Sequence, residues 1–166
     1  MPDINRLMEA TRKSCIEKRE TLIDKFIKEN LKYCPTANEQ VLQFIADFLY
    51  HGVPDVDLEV SAESIRSTFR AGYCYYFAHM LLEAFNRGTV CWAAPYGHMV
   101  WVDTDGNPYD IEGVNSSDCK YYIPCSYLNG HVDDFKHVPG VVFTASEEFL
   151  ESVIKKYEED NDISPD

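Results

Sequence analysis

The spacing of apolar residues changes character near Gly88, and that change limits what the chain can become. Before it, apolar side chains recur every three or four positions, the repeat of one helix face. After it they come in short runs bounded by Gly, Pro, Asn and Asp, as strands do. Residues 4–31 form a charge-rich helical pattern in which Leu7, Met8, Cys15, Ile16, Leu22, Ile23, Phe26 and Ile27 approximate one stripe, and Pro35 stops it. Asn38 is placed to cap a second helix running to residue 50, with Gly52 and Pro54 beyond its end. A weaker helical pattern covers residues 61–69, and the acidic run over 55–63 reads as a solvated loop. Residues 73–85 predict a central helix with Cys74, Phe77, Ala78, Leu81 and Phe85 on one face, ended by Gly88. Strand patterns follow at 89–94, 98–103, 107–112, 120–124 and 141–143. A last helix is predicted over 147–157, with Thr144 and Glu147 at capping-box spacing, before a frayed acidic tail at 158–166. Helices first and strands second predict an α+β fold, with N-terminal helices and a central helix packed on a small antiparallel sheet.

At 166 residues and 45% hydrophobic, the chain fits a single compact domain with a helical N-terminal part over 1–52 and a core over 72–143. Eleven tyrosines and nine phenylalanines imply either a well-packed body or an aromatic-lined groove. A formal net charge of −13 argues against nucleic-acid backbones and anionic membranes as partners. With no apolar stretch of membrane-spanning length and no signal core, a soluble cytoplasmic protein is expected. The six cysteines include no Cys-x-x-Cys and read mainly as free thiols; a Cys119–Cys125 disulfide would need a sharp local reversal.

The chemistry concentrates at Cys74. It follows Gly72 at the start of the central helix, in Phe69-Arg70-Ala71-Gly72-Tyr73-Cys74-Tyr75-Tyr76-Phe77-Ala78. A helix start favours an anion, and the thiolate is the reactive form of cysteine. His98 opens a strand pattern after Gly97, which would permit close approach, and Asp110 and Glu112 lie on the next one. A three-residue loop at Thr104-Asp105-Gly106, with Gly106 left-handed, sets Asp103 against Asn107, Val100 against Asp110 and His98 against Glu112. His98 then reaches Asp110 diagonally or Glu112 directly. A two-residue loop would put His98 and Asp110 on opposite faces. The three-residue form yields a nucleophile, base and orienter in Cys74, His98 and Asp110, with Glu112 as alternative orienter. The Cys74 N–H would serve an oxyanion, and Gln43, Asn38 and Tyr73 are candidates for a second donor by residue type. His79, five residues after Cys74, lies too far round the helix to be a direct partner. His131 and His137 beside Asp133 and Asp134 match no metal motif and read as a polar loop. Zinc on Cys74, Cys91 and His98 lacks paired ligand spacing, so neither metal nor cofactor is implied.

Gly72-Tyr73-Cys74, then His98-Met99-Val100-Trp101-Val102, then Asp105-Gly106-Asn107-Pro108-Tyr109-Asp110, resembles the papain-like superfamily, most nearly its transglutaminase-like branch. The resemblance implies a nucleophilic cysteine beginning a helix on an antiparallel sheet, with histidine and aspartate following on neighbouring strands. Cys74, His98 and Asp110 take those places, and Tyr109 stands where a residue often precedes the family's aspartate. Arylamine acetyltransferases share this chain order in longer chains. The tryptophan usual beside the cysteine is absent, and the His98–Asp110 interval is short.

The expected function is a cysteine-dependent hydrolase of peptide, isopeptide or other amide bonds, acting through a thioester on a basic or neutral protein or peptide. A thiol-dependent acyltransferase is the nearest alternative. A noncatalytic acidic interaction or inhibitor protein, using aromatics such as Tyr121, Tyr122 and Tyr127 as a groove, is the alternative from another class.

Overall fold

In a computed structural model, the structure describes residues 3–51, 57–70, 72–128 and 146–164. The strand expected at 141–143, His131, Asp133, Asp134, His137, Thr144, Gly52 and Pro54 lie outside the described residues. The chain divides into two compact units, Met1–Ser67 and Thr68–Asp166.

The first unit is helical. It holds α1 (Ile4–Tyr33), α2 (Glu39–Leu49) and most of α3 (Leu58–Arg70). Asp3 caps α1 by accepting from the Asn5 and Arg6 N–H groups, and Asn38 caps α2 by accepting from Val41 N–H at 3.1 Å. α2 buries Val41, Leu42, Ile45, Ala46 and Leu49, whereas α1 buries only Phe26 and leaves Ile4, Leu7, Met8 and Ile16 exposed. Length explains the contrast: α1 is about 45 Å long, and α2, at about 17 Å, spans less than half of it. The acidic run is not a loop from Leu58 onward, because it forms the start of α3. Asp57 accepts from Glu59 and Val60 N–H at 2.9 and 3.3 Å, so the carboxylate that suggested a loop caps a helix.

The second unit is mixed α+β. After α4 (Cys74–Phe85) come β1 (Thr89–Ala94), β2 (Met99–Val102), β3 (Pro108–Asp110), β4 (Gly113–Val114) and β5 (Tyr121–Pro124), a 3₁₀ turn at Cys125–Leu128, and α5 (Glu147–Asp160). The strands form one antiparallel sheet in the order β4-β3-β2-β1-β5; β4 carries no signal of its own in the sequence. α4 lies against this sheet, burying Phe77, Ala78 and Leu81 and stacking Phe85 on Trp101 with centroids 5.6 Å apart. Trp92, Trp101, Tyr109 and Ile123 are fully buried, so much of the aromatic content builds core. Among the described residues no helix is long and apolar enough to cross a membrane.

Asn86, left-handed at φ 50°, ends α4 in place of the expected Gly88. Gly88 serves the sheet instead: at φ 82° its Cβ would lie 2.6 Å from the Val102 carbonyl oxygen and 2.7 Å from Trp101 Nε1. Ser146 caps α5 through Phe149 N–H at 3.2 Å. The helix continues through Asp160, which corrects the frayed tail expected from 158: buried Glu158 accepts from Tyr121 Oη at 2.9 Å and lies 3.5 Å from Lys120 Nζ. The chain between α4 and β1 is tied to the hairpin by Arg87, whose Nε and Nη2 donate to the two Asp103 carboxylate oxygens at 2.7 and 3.0 Å. The Arg87 hydrogen bond holds the Asp103 carboxyl below its ordinary pKa against the effect of burial, with help from Thr104 N–H.

Gly88→Ala is expected to destabilise the protein by more than about 1 kcal/mol, because the strain of a positive φ and the clash act together; a chemical-denaturation midpoint checks it. Asp103 titrates lower folded than unfolded, so its stabilisation is complete above about pH 4 and is lost as pH falls through the folded pKa. The stability gap between wild type and Asp103→Asn should therefore be widest at neutral pH and close in acid, as read from denaturation at pH 7, 4 and 2.5.

Candidate active site

The site is built by a hairpin that stops early. Asp103 N–H donates to the Asn107 carbonyl at 3.0 Å and Gly106 N–H to the Asp103 carbonyl at 2.9 Å, with Gly106 left-handed at φ 84°. Trp101 stands opposite Tyr109 and Val102 opposite Pro108, which is the register of the three-residue loop. Continued, that register would put Ile111 beside Met99. It does not continue: Glu112 N–H folds back onto Asp110 Oδ1 at 2.8 Å, and the chain turns into β4 with Gly113 opposite Asp110. The edge of β2 at Met99 is thus vacated by β3, and Met99 N–H donates to Cys74 Sγ at 3.4 Å.

Alternation along β2 sets the approach of the histidine. Met99 and Trp101 point toward α4, while His98 shares the opposite face with Val100 and Asp110. The Cys74 sulfur sits at the vacated edge, where a group on that opposite face can still reach it. His98 Nε2 meets Asp110 Oδ2 at 2.9 Å, with side-chain exposures of 21% and 9%. Asp110 is thus held at both oxygens, by the imidazole and by Glu112 N–H. Burial works against a charge on His98. Hydrogen bonding to Asp110 and to Cys74, with the negative charge of each, outweighs it and lifts the imidazole pKa to about 10. With Nε2 on Asp110, Nδ1 is the nitrogen left to face the sulfur.

The local backbone suits an anion. Gly72 is left-handed at φ 102°, Tyr73 occupies the N-cap of α4, and no side chain caps the helix start. The positive end of α4 is therefore directed at the residue that begins it. Cys74 is half-buried, whereas burial pushes the Cys91 thiol up to about 12. Cys125 is also pushed up, by burial first and then by the proximity of Cys91 and Cys74. All six cysteines are free.

Glu112 is exposed and lies 3.6 Å from Arg70, and Asp110 is the carboxylate that meets His98. Gly97 is exposed with open space where a Cβ would be, so no close approach requires a glycine there. Gln43 donates to Asp47 at 2.9 Å and Asn38 caps α2, both within the first unit. The Tyr73 ring lies against Phe69 and Tyr76. Tyr109 donates to Asp105 at 2.9 Å and packs on Trp101, bracing the hairpin. His79 pairs with Tyr75 Oη at 2.8 Å. Among the described residues no three His, Cys, Asp or Glu side chains are grouped as metal ligands would be. The Met99 and Glu112 N–H groups escaped the sequence reading because backbone donors have no residue signature; only the ladder parity pointed toward them.

No known family model matches the chain, and no curated protein or solved structure matches it either.

His98 titrates near 10 folded and near about 6.5 unfolded, so the stabilisation from its charge is complete below about pH 6.5 and is lost as pH rises through about 10. Asp110→Asn should accordingly cost about 1–3 kcal/mol at pH 6 and progressively less toward pH 10.5. Urea unfolding of the two proteins across that range measures the gap.

Proposed function

We propose that this chain is a cysteine-dependent hydrolase of amide bonds, with Cys74 as nucleophile, His98 as acid and base and Asp110 as orienter. The observation that carries the reading is the position of the Cys74 sulfur, 3.4 Å from the Met99 nitrogen, next to a histidine whose Nε2 is already held by Asp110. The chain order, the helix start at the cysteine and the antiparallel sheet support a papain-like core of the transglutaminase-like kind.

In this reading the thiolate and imidazolium form a pair at rest. Sulfur attacks the substrate carbonyl carbon, and the carbonyl oxygen takes up the negative charge beside the Cys74 N–H. Collapse of that intermediate breaks the C–N bond, and His98 gives its proton to the leaving amine. Neutral His98 then takes a proton from water, whose oxygen attacks the thioester carbon. Collapse of this second intermediate breaks the C–S bond, which releases the carboxylic acid and restores the thiolate and imidazolium. Acyl transfer would follow the same course with an amine in place of water.

The test is acyl capture. Wild-type protein incubated with activated peptide esters should gain the mass of the acyl group at Cys74, and hydroxylamine should remove it. Cys74→Ala should gain nothing, and His98→Ala should acylate at least about 100-fold more slowly. No adduct on Cys74, with iodoacetamide labelling no faster than that of an unfolded-chain thiol, would leave a noncatalytic binding protein as the better account.

A further inference from the structure

Arg70 and Glu112 flank Cys74 and Asp110 in the sequence without belonging to the reacting groups. Arg70 is the last residue of α3 and lies four positions before Cys74. Glu112 follows Asp110 by two, and its own N–H is the donor that fixes Asp110 Oδ1 at 2.8 Å. Their side chains meet at 3.6 Å, 42% and 50% exposed. A closed circuit results: Cys74 to Arg70 along the chain, Arg70 to Glu112 by charge, Glu112 to Asp110 through its N–H, Asp110 to His98 at 2.9 Å, and His98 back to the sulfur.

We infer that Arg70 and Glu112 are positioning residues, an ion pair that clasps the nucleophile-bearing segment to the turn that holds Asp110. The clasp acts where β3 leaves the sheet. That turn has lost its ladder bonds to β2, so Asp110 depends on the turn keeping its shape. The ion pair ties the turn to the end of α3. This inference rests on the hydrolase reading, since a clasp has a role only if Cys74 and His98 act together. An exposed pair is worth little in overall stability, so its effect belongs in reactivity rather than in folding.

Alkylation of Cys74 by iodoacetamide, an uncharged reagent, reads the clasp in the full chain by peptide mass spectrometry. Arg70→Ala and Glu112→Gln should each slow alkylation about two- to fivefold at low salt, with melting temperatures close to wild type. The exchanged pair, Arg70→Glu with Glu112→Arg, should recover at least half the wild-type rate. Added salt should slow the wild type toward the single variants and leave the single variants unchanged. Single variants as reactive as wild type, or an exchanged pair no better than either single variant, would overturn the clasp. His98→Ala separates the two ideas. If it slows alkylation while Arg70→Ala does not, the clasp alone is wrong. If it has no effect, the hydrolase reading and the clasp fall together.

Discussion

The register of the β2–β3 hairpin governs everything built on it. Side chains alternate across a strand, so one residue of slippage would carry Asp110 to the face that α4 covers and leave His98 alone. The three-residue loop prevents this: Asp103 bonds Asn107, and Gly106 takes the left-handed turn. The same register also creates the vacancy that the cysteine uses. Because the ladder stops at Asp110, Met99 presents its N–H to a sulfur instead of to a strand. A longer β3 would have paired that edge and taken the Met99 N–H from the sulfur.

The site also shows how a very acidic protein holds a local concentration of positive charge. The net charge is −13, yet the start of α4 and a His98 imidazole that keeps its proton to about pH 10 lie beside one sulfur. Asp110 balances the imidazole at 2.9 Å, and the remaining attraction is directed at Cys74. Buried Cys91 and half-buried Cys125 lack this surrounding, and desolvation drives both toward the protonated form, with the proximity of Cys91 and Cys74 adding to it at Cys125. The helix start and the neighbouring imidazole together single out Cys74 among the six free cysteines.

Much of this was legible in the sequence, and the misses share a cause. Strand β1 and the α4 face follow from side-chain patterns, which periodicity reports directly, whereas periodicity leaves the hairpin loop open between two and three residues and the Asp103–Asn107 bond decides it. The start of α3 was missed because Asp57 reads equally as loop and as cap until its N–H partners are known. Glu158 was assigned to a tail because a carboxylate shows nothing of a tyrosine hydroxyl 37 residues away. β4 is two residues long and exists only because Glu112 N–H turns back on Asp110. In the site, residue types identified Cys74, His98 and Asp110, while the groups that hold them in place are backbone donors. Glu112 looked like an orienter by register, yet the backbone left the strand before its side chain reached His98.

The most direct measurement is the titration of the His98 ring by NMR in wild type, Asp110→Asn and Cys74→Ala. A midpoint near 10 in wild type, lowered by each substitution, is the result that pairing with both neighbours predicts. A midpoint near the ordinary histidine value of about 6.5, unmoved when the sulfur is removed, would show that imidazole and thiol do not share a proton and would contradict the account.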